Sequence, residues 1–206
     1  LDETGSEVEH WRDTPVPFAE YRRRAHGAGD LSVACEQIYW HRYLGQVPAP
    51  LDWPNHWRQG GAAGDSHYLD VDGERLRGLK RVAQERQVSL YAVILATWAT
   101  AVARACAQDE IVVGMPMSMR DTTFAHTLGS LFNVLPLRVR PAGSWYDLVG
   151  AIRADLHAAL DNRGFDLAAV VDALGVPRPE GRNPLFQTTV NLLGRVEHSR
   201  WLALQM

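Results

Sequence analysis

Apolar residues recur at intervals of three and four along much of the chain, which is the spacing that places them on one face of an α-helix. A short helix is predicted to open at Phe18 and to stop at Gly27, where glycines interrupt the pattern. Ser89 and Ser144 directly precede two strongly apolar helical patterns and are suitable N-caps. The longer predicted helices cover residues 31–44, 74–87, 90–107, 145–163 and 167–174.

Shorter apolar runs rich in β-branched residues lie between the helices and predict strands. Residues 67–71 precede an Asp-Gly turn, and residues 111–114 have the character of a buried strand. Residues 134–139 alternate around Pro136, which is typical of an edge strand or of a strand with a bulge, and residues 186–193 are partly β-branched. Helices and strands interleave without a regular βαβ order. We therefore expect an α/β fold, a two-layer sandwich in which helices pack on a mixed β-sheet.

Two segments are predicted to lie outside this pattern of helices and strands. Residues 1–17 are polar, contain two prolines and are expected to be a linker or lead-in, so that residues 18–206 form the main unit. Residues 45–65 are rich in proline and glycine and predict a long loop, which in a compact domain is usually functional or mobile. Trp53 and Trp57 in this loop need a surface to pack against.

Composition and charge exclude some classes of partner. The 206 residues are 46% hydrophobic and 22% charged, and the formal net charge of −3 argues against a nucleic-acid partner. The apolar run from residue 90 to 103 is shorter than the roughly 20 residues that a membrane span needs, so a buried helix and no membrane partner are expected. The first residue is Leu1 and not Met, which suggests a piece of a longer polypeptide.

The cysteines and histidines provide no evident catalytic or metal site. Cys35 and Cys106 lie in apolar helical patterns, without CxxC spacing, and are expected to be reduced core thiols of a cytoplasmic protein. Histidines 26, 67 and 157 each have an aspartate four or five residues later, but the first lies in a glycine-rich break, the second on a strand and the third on a helix surface. No zinc spacing, GxSxG or phosphate-binding loop is present, so the residues predict neither a metal nor a bound cofactor.

Three motifs in the second half of the chain carry more information. Gly114, Pro116 and Arg120 follow the apolar run at 111–113, so a buried strand is predicted to stop sharply and to present a guanidinium at its end. From the residues alone, the alternative is a strand, a turn and a solvent-facing arginine. Asn133 follows within the sequence LGSLFNVLPLR, and Gln187 closes the sequence RNPLFQ at residues 182–187.

In order and separation, these motifs resemble the C-terminal half of a condensation domain of non-ribosomal peptide synthetases. The resemblance runs from about residue 18 to 193, and Tyr39, Trp40 and Leu44 are similar to the family's YWxxxL helix. It departs from the family at Asp161, where histidine is common, and at residues 165–166, where Pro-Phe is common. The family's HHxxxDG active-site motif is absent from the chain.

The resemblance implies the C-terminal subdomain of a chloramphenicol-acetyltransferase-like fold, in which two α/β sandwiches form a V around a tunnel. It implies amide formation between an acyl or peptidyl thioester and an aminoacyl thioester, each held on the phosphopantetheine of a carrier protein. Implied partners are the N-terminal half of the same domain, donor and acceptor carriers and an adjacent adenylation domain.

The same resemblance assigns expected roles to individual residues. Arg120 would support the active site by pairing with the aspartate of HHxxxDG, and Gly114, Pro116, Asn133 and Gln187 would face the tunnel. The catalytic histidine would lie in the other half, so the chain alone is expected to be inactive. Two alternatives stay open: a non-catalytic condensation-like platform that recruits other proteins, and an epimerisation domain, against which the RNPLFQ match argues.

Overall fold

The computed structural model describes residues 15–25, 31–54, 66–178 and 181–193. All six predicted helices are present in these ranges, with ends within two residues of the predicted positions, and two of the predicted strands are longer than expected. The elements in chain order are α1 (Phe18–Ala25), α2 (Leu31–Leu44), α3 (Gly73–Glu85), α4 (Leu90–Ala105), β1 (Ile111–Ser118), β2 (Phe132–Val139), α5 (Trp145–Asp161) and α6 (Leu167–Leu174).

The sheet is mixed, as predicted. β1 and β2 pair antiparallel over their whole length, from Ile111 opposite Val139 to Ser118 opposite Phe132. On the other side of β1, the chain near Thr189 runs parallel to it: Gly114 donates its N–H to the Thr188 carbonyl (2.9 Å) and accepts from the Val190 N–H (3.0 Å). The order of backbones is therefore β2, β1 and the 188–190 segment, with β1 in the middle.

Two predicted strands are wrong or incomplete in the structure. Residues 66–71 form no strand, and Tyr68 and Leu69 are 95% and 86% exposed. Alternating side chains suit a strand, but a strand also needs a neighbouring backbone to bond, and none of the described residues supplies one here. The predicted strand at 186–193 is reduced to the isolated bridge at Thr189.

Helix α4 is at the centre of the core because small side chains allow close packing around it. Ser89 caps its first turn by accepting a hydrogen bond from the Ala92 N–H (3.1 Å). Helix α5 begins with a full capping box between Ser144 and Asp147 and packs against α4. The buried residues of the two helices include Ala92, Leu95, Ala96, Ala99, Val102, Leu148, Val149, Ile152 and Leu156.

The prediction that Cys35 is a core thiol is wrong, because α2 buries a different side. Cys35 and Ile38 are exposed, whereas Trp40 and Leu44 are fully buried. Trp40 donates its indole N–H to the Asn162 carbonyl (2.7 Å) and packs on Phe165, so the largest side chain of the helix fixes which face turns inward. Cys35 is therefore not a core thiol; Cys106 is, at the C-cap of α4, where burial raises the pKa of its thiol.

The long loop predicted at 45–65 lies only partly within the described residues. Residues 45–54 contain no helix or strand, and Trp53 is half-buried against the core; Trp57 is outside the described ranges. Among the helices described, no single one is long and apolar enough to cross a membrane. Helices α3 and α4 meet that test only as a pair, and they are bent by 108° at the break between them.

Candidate functional site

A cleft of about 1130 Å³ lies where β1 ends and β2 begins. Its walls come from α1, from the loop between the two strands, from the turn between α5 and α6, and from the RNP segment at 182–184. Six arginines line it against three carboxylates, although the whole chain has a net charge of −3. The cationic residues are Arg22, Arg24, Arg120, Arg163, Arg178 and Arg182.

Arg120 is bonded to the loop that it begins. Its Nη1 donates to the carbonyls of Phe124 (3.2 Å) and Thr127 (2.6 Å), and its Nη2 donates to the carbonyl of Gly129 (3.0 Å). The Nε hydrogen and one Nη2 hydrogen have no partner among the described residues. The side chain lines the cleft and shapes its own loop, with donors left for a further acceptor. Its pairing with the aspartate of HHxxxDG stays a prediction.

The loop that Arg120 holds is packed against α1. Phe124 and Thr127 are buried, and the Thr127 hydroxyl donates to the Val16 carbonyl (2.7 Å). The Phe124 ring meets Tyr21 edge-on at 5.4 Å and has the Arg24 guanidinium over its face at 5.3 Å. Burial, with a smaller effect from Asp121, raises the pKa of the Tyr21 hydroxyl. This wall of the cleft is therefore a packed structure and not an open loop.

Asn133 lines the same cleft and is saturated with hydrogen bonds. Its Nδ2 donates to the carbonyls of Arg163 and Phe165, both at 2.9 Å, and its Oδ1 accepts from the Val134 N–H at 2.9 Å. The Glu36 carboxylate of α2 accepts from the Gly164 N–H in the same turn (2.5 Å). The turn at 162–165 is consequently held by side chains from both α2 and β2.

Gly114 lies away from the cleft lining, where two backbones approach closely. A Cβ at this position would come within 2.7 Å of Phe186 Cε2 and 2.9 Å of Thr189 Cγ2. Only a hydrogen leaves room for the 186–190 segment to bond to β1, which explains glycine at this point of the motif without reference to a substrate.

Pro116 and Gln187 line two separate cavities. Pro116 lies beside Tyr91, Met115 and Leu156 in a cavity of about 470 Å³ between α4 and α5. Gln187 accepts from the Leu51 N–H (2.8 Å) and donates to the Asn183 carbonyl (2.9 Å), and so ties the 45–54 loop to the RNPLFQ segment. Of the five residues predicted to serve the site, the structure brings only Arg120 and Asn133 to one cleft; the tunnel-facing role of the others stays a prediction.

The arginine of the LPLR sequence, Arg138, has a structural role that sequence reasoning missed. Its guanidinium makes a two-pronged ion pair with Glu110, in which the Nη2–Oε2 distance is 2.9 Å, and donates to the Leu44 carbonyl at 2.5 Å. The backbone of the same residue bonds to the Tyr43 hydroxyl. Hydrogen bonds from Arg138 and then from Arg140 lower the pKa of the Glu110 carboxyl. This network fixes β2 to α2.

Glu36 is one of the cleft residues that sequence reasoning did not identify. Glu36 lies four residues before the buried Trp40, so both side chains emerge on the same side of α2, and this spacing was the available signal. Arg163 falls in the segment where the chain departs from the family pattern. Among the described residues, no group of His, Cys, Asp and Glu could hold a metal ion, and no histidine lines the cleft.

The mixed sheet and its helices have the fold of condensation domains of the chloramphenicol-acetyltransferase-like type. A four-domain nonribosomal peptide synthetase bound to AMP and glycine matches with a TM-score of 0.67 at 20% identity, over 76% of this chain and 12% of that one. The first condensation domain of the CDA synthetase matches with a TM-score of 0.66 at 21% identity, over 86% of this chain and 38% of that one. At these identities the likeness shows the fold alone.

Sequence comparison establishes the family. The model of the condensation domain matches residues 3–198, so the chain belongs to the condensation-domain family. It is 27% identical over 205 residues to tyrocidine synthase 2 of Brevibacillus parabrevis, a match that covers 96% of this chain, and 30% identical over 154 residues to malpinin synthetase of Mortierella alpina, a match that covers 72%. The chain spans 6% and 2% of the lengths of these two relatives.

Proposed function

We propose that this chain forms one wall of the site at which a non-ribosomal peptide synthetase makes an amide bond. The two reactants would be an acyl or peptidyl thioester and an aminoacyl thioester, each delivered on the phosphopantetheine of a carrier protein. The observation that carries the proposal is the cleft at the end of β1, where Arg120 of the GxPxxxR motif and Asn133 of the LFN motif come together.

The chemistry requires a group that the described cleft does not contain. The amine nitrogen attacks the thioester carbonyl, a C–N bond forms, the C–S bond breaks, and the ammonium proton must pass to a base while the thiolate leaves. The cleft offers guanidinium groups, three carboxylates and Tyr21, and no histidine among its described lining residues. The proposal therefore places the base in the N-terminal half of the domain, on its HHxxxDG motif, with no cofactor bound by this chain itself.

Arg120 has the donors needed to connect the two halves. Three of its N–H groups hold its own loop, and its Nε and one Nη2 hydrogen stay available among the described residues. The Nε and Nη2 groups lie along one edge of a guanidinium, and donors on this edge can bind a carboxylate at both oxygens. The aspartate of HHxxxDG is the acceptor that we propose.

The rim of the cleft offers a surface for that half. Leu128 is 76% exposed and Phe132 is 60% exposed, and both belong to the segment that Arg120 and Asn133 border. Exposed apolar side chains beside a cleft are suited to contact with another protein surface. The excess of arginines in the cleft also suits the phosphate of a phosphopantetheine arm, which supports carrier proteins as partners and an adenylation domain as the source of the activated amino acid.

The test uses an intact condensation domain that contains this chain. It is incubated with an acyl-loaded donor carrier and an aminoacyl-loaded acceptor carrier, and the acceptor is analysed by mass spectrometry for the acylated product. The proposal predicts transfer at a rate above that of a control without the domain. Binding of both carriers with no product would instead support the recruitment platform, and inversion of the aminoacyl group without transfer would support an epimerisation domain.

A further inference from the structure

We infer that Glu36 and Asn133 are positioning residues that set the substrate-facing wall of the cleft by holding the turn at residues 162–165. This inference rests on the proposed function and adds to it the part of the chain that recognises one of the two substrates. The turn connects α5 to α6 and brings Arg163 and Phe165 to the cleft lining.

Four backbone groups of this turn are bonded by side chains that are distant in sequence. The Asn162 carbonyl accepts from the Trp40 indole, the Arg163 and Phe165 carbonyls accept from Asn133, and the Gly164 N–H donates to Glu36. Consecutive residues of a connecting turn are usually bonded to water or to their own helix ends. Here they are held at four successive positions, so the turn has little freedom to move.

Asn133 is suited to this role by its chemistry. Both hydrogens of its Nδ2 are used on carbonyls two residues apart, and its Oδ1 is occupied by the Val134 N–H. With both donors and the carbonyl oxygen engaged, the amide has one orientation. An aspartate of the same shape would present oxygens to two carbonyls and repel the turn.

Glu36 holds the same turn from helix α2. Its carboxylate takes the Gly164 N–H, and a Cβ at Gly164 would lie only 3.1 Å from Glu36 Oε2, so the two groups are in close contact. Glutamine at this position would keep an oxygen acceptor for the same N–H, whereas alanine would remove it. Comparing the two substitutions therefore shows whether the hydrogen-bond acceptor, and not only the bulk of the side chain, holds the turn.

The arrangement predicts an effect on binding that a general loss of stability would not produce. Partial unfolding removes active molecules and lowers the apparent kcat while KM is unchanged. A displaced wall weakens the binding of the substrate that it contacts, and so raises one KM. Gln108 offers a matched control that lies outside the cleft. Its amide also makes three long-range backbone bonds: it accepts from the Asp52 N–H (3.2 Å) and donates to the carbonyls of Ala49 (3.0 Å) and Pro50 (3.5 Å).

The experiment measures kcat and both KM values in the intact condensation domain, with an acyl-loaded carrier as donor and a panel of aminoacyl thioesters of N-acetylcysteamine as acceptors. Asn133→Ala and Glu36→Ala are expected to raise one of the two KM values about tenfold, equivalent to about 1.4 kcal/mol, with kcat unchanged. Glu36→Gln should recover most of this loss. Gln108→Ala should lower the melting temperature to a similar extent and leave both KM values unchanged.

Hydrogen exchange of residues 162–168, with and without the same thioesters, separates this inference from the proposed function. In the wild type, a bound thioester is expected to slow hydrogen exchange of these residues. If this protection is lost in Asn133→Ala but kept in Gln108→Ala, it supports the positioning role even when no product forms. The positioning role would be overturned if product forms and Asn133→Ala has the same KM values and the same protection as Gln108→Ala. That result would leave the proposed function intact. If the wild type shows no product and no protection, both the positioning role and the proposed function are overturned.

Discussion

Replacing Arg120 by alanine tests how the cleft is built. The substitution removes three hydrogen bonds from a charged donor, at 3.2, 2.6 and 3.0 Å, and leaves the carbonyls of Phe124, Thr127 and Gly129 without that partner. A hydrogen bond to a charged group contributes about 1.5–3 kcal/mol when buried, but water can reach this exposed loop and replace part of it. We therefore expect a net loss of about 2–3 kcal/mol for the three bonds together.

In a domain of about 150–250 residues that loss lowers the melting temperature by about 4–12 °C, and the shift is smaller in a larger domain. Thermal unfolding of the intact condensation domain, followed by circular dichroism, measures it, and turnover should fall in parallel because the loop borders the cleft. Arg120→Lys should recover less than half of the stability, since a single ammonium cannot reach three carbonyls that lie around a planar fork.

Arg178→Ala is the control, because this cleft-lining arginine makes an exposed ion pair with Asp172 (2.6 Å), a type of contact that contributes about 0–1 kcal/mol. An unchanged melting temperature in Arg120→Ala, with a raised KM as the only defect, would refute the structural role and make Arg120 a substrate contact.

Two further predictions concern the scaffold around the cleft. Gly114→Ala should cost about 1–3 kcal/mol through overpacking, measured by urea unfolding, whereas Gly150→Ala, whose added methyl meets nothing within 4 Å, should stabilise helix α5 by about 0.5–1 kcal/mol. Arg138 lowers the pKa of the Glu110 carboxyl in the folded protein. The ion pair therefore stabilises the fold at pH values above the unfolded-state pKa of about 4.3. This stabilisation is lost as the pH falls through the lower pKa of the folded state. Glu110→Gln should therefore be less stable at neutral pH and lose less stability on acidification; an acid limb identical to that of the wild type would contradict this.

The sequence predicts the helices well because their signals are local. Ser89 and Ser144 cap the helices that they precede, and the apolar spacing of α4 and α5 is long and regular. The strand predictions failed for a different reason. Tyr68 and Leu69 have strand character, but strand formation depends on a partner backbone that local pattern does not report.

The candidate site was only partly predictable for a related reason. The motif residues Arg120 and Asn133 were identified, but their contacts were not: Arg120 bonds carbonyls of its own loop, and Asn133 bonds a turn 30 residues later. Glu36 was missed because its partner is a backbone N–H at Gly164, which leaves no side-chain motif in the sequence. Gly114 was expected to face the tunnel, and its close contact with Phe186 follows only from the tertiary approach of two backbones.

The most direct test of the central claim is complementation between this chain and the N-terminal half that we propose for its condensation domain. The 206-residue chain and that half, carrying HHxxxDG, are produced separately and mixed with loaded donor and acceptor carriers, and the amide product is measured by mass spectrometry. The account predicts product only when both halves are present, and none when the histidines of HHxxxDG are replaced by alanine. Turnover by the 206-residue chain alone, above the spontaneous rate, would contradict it.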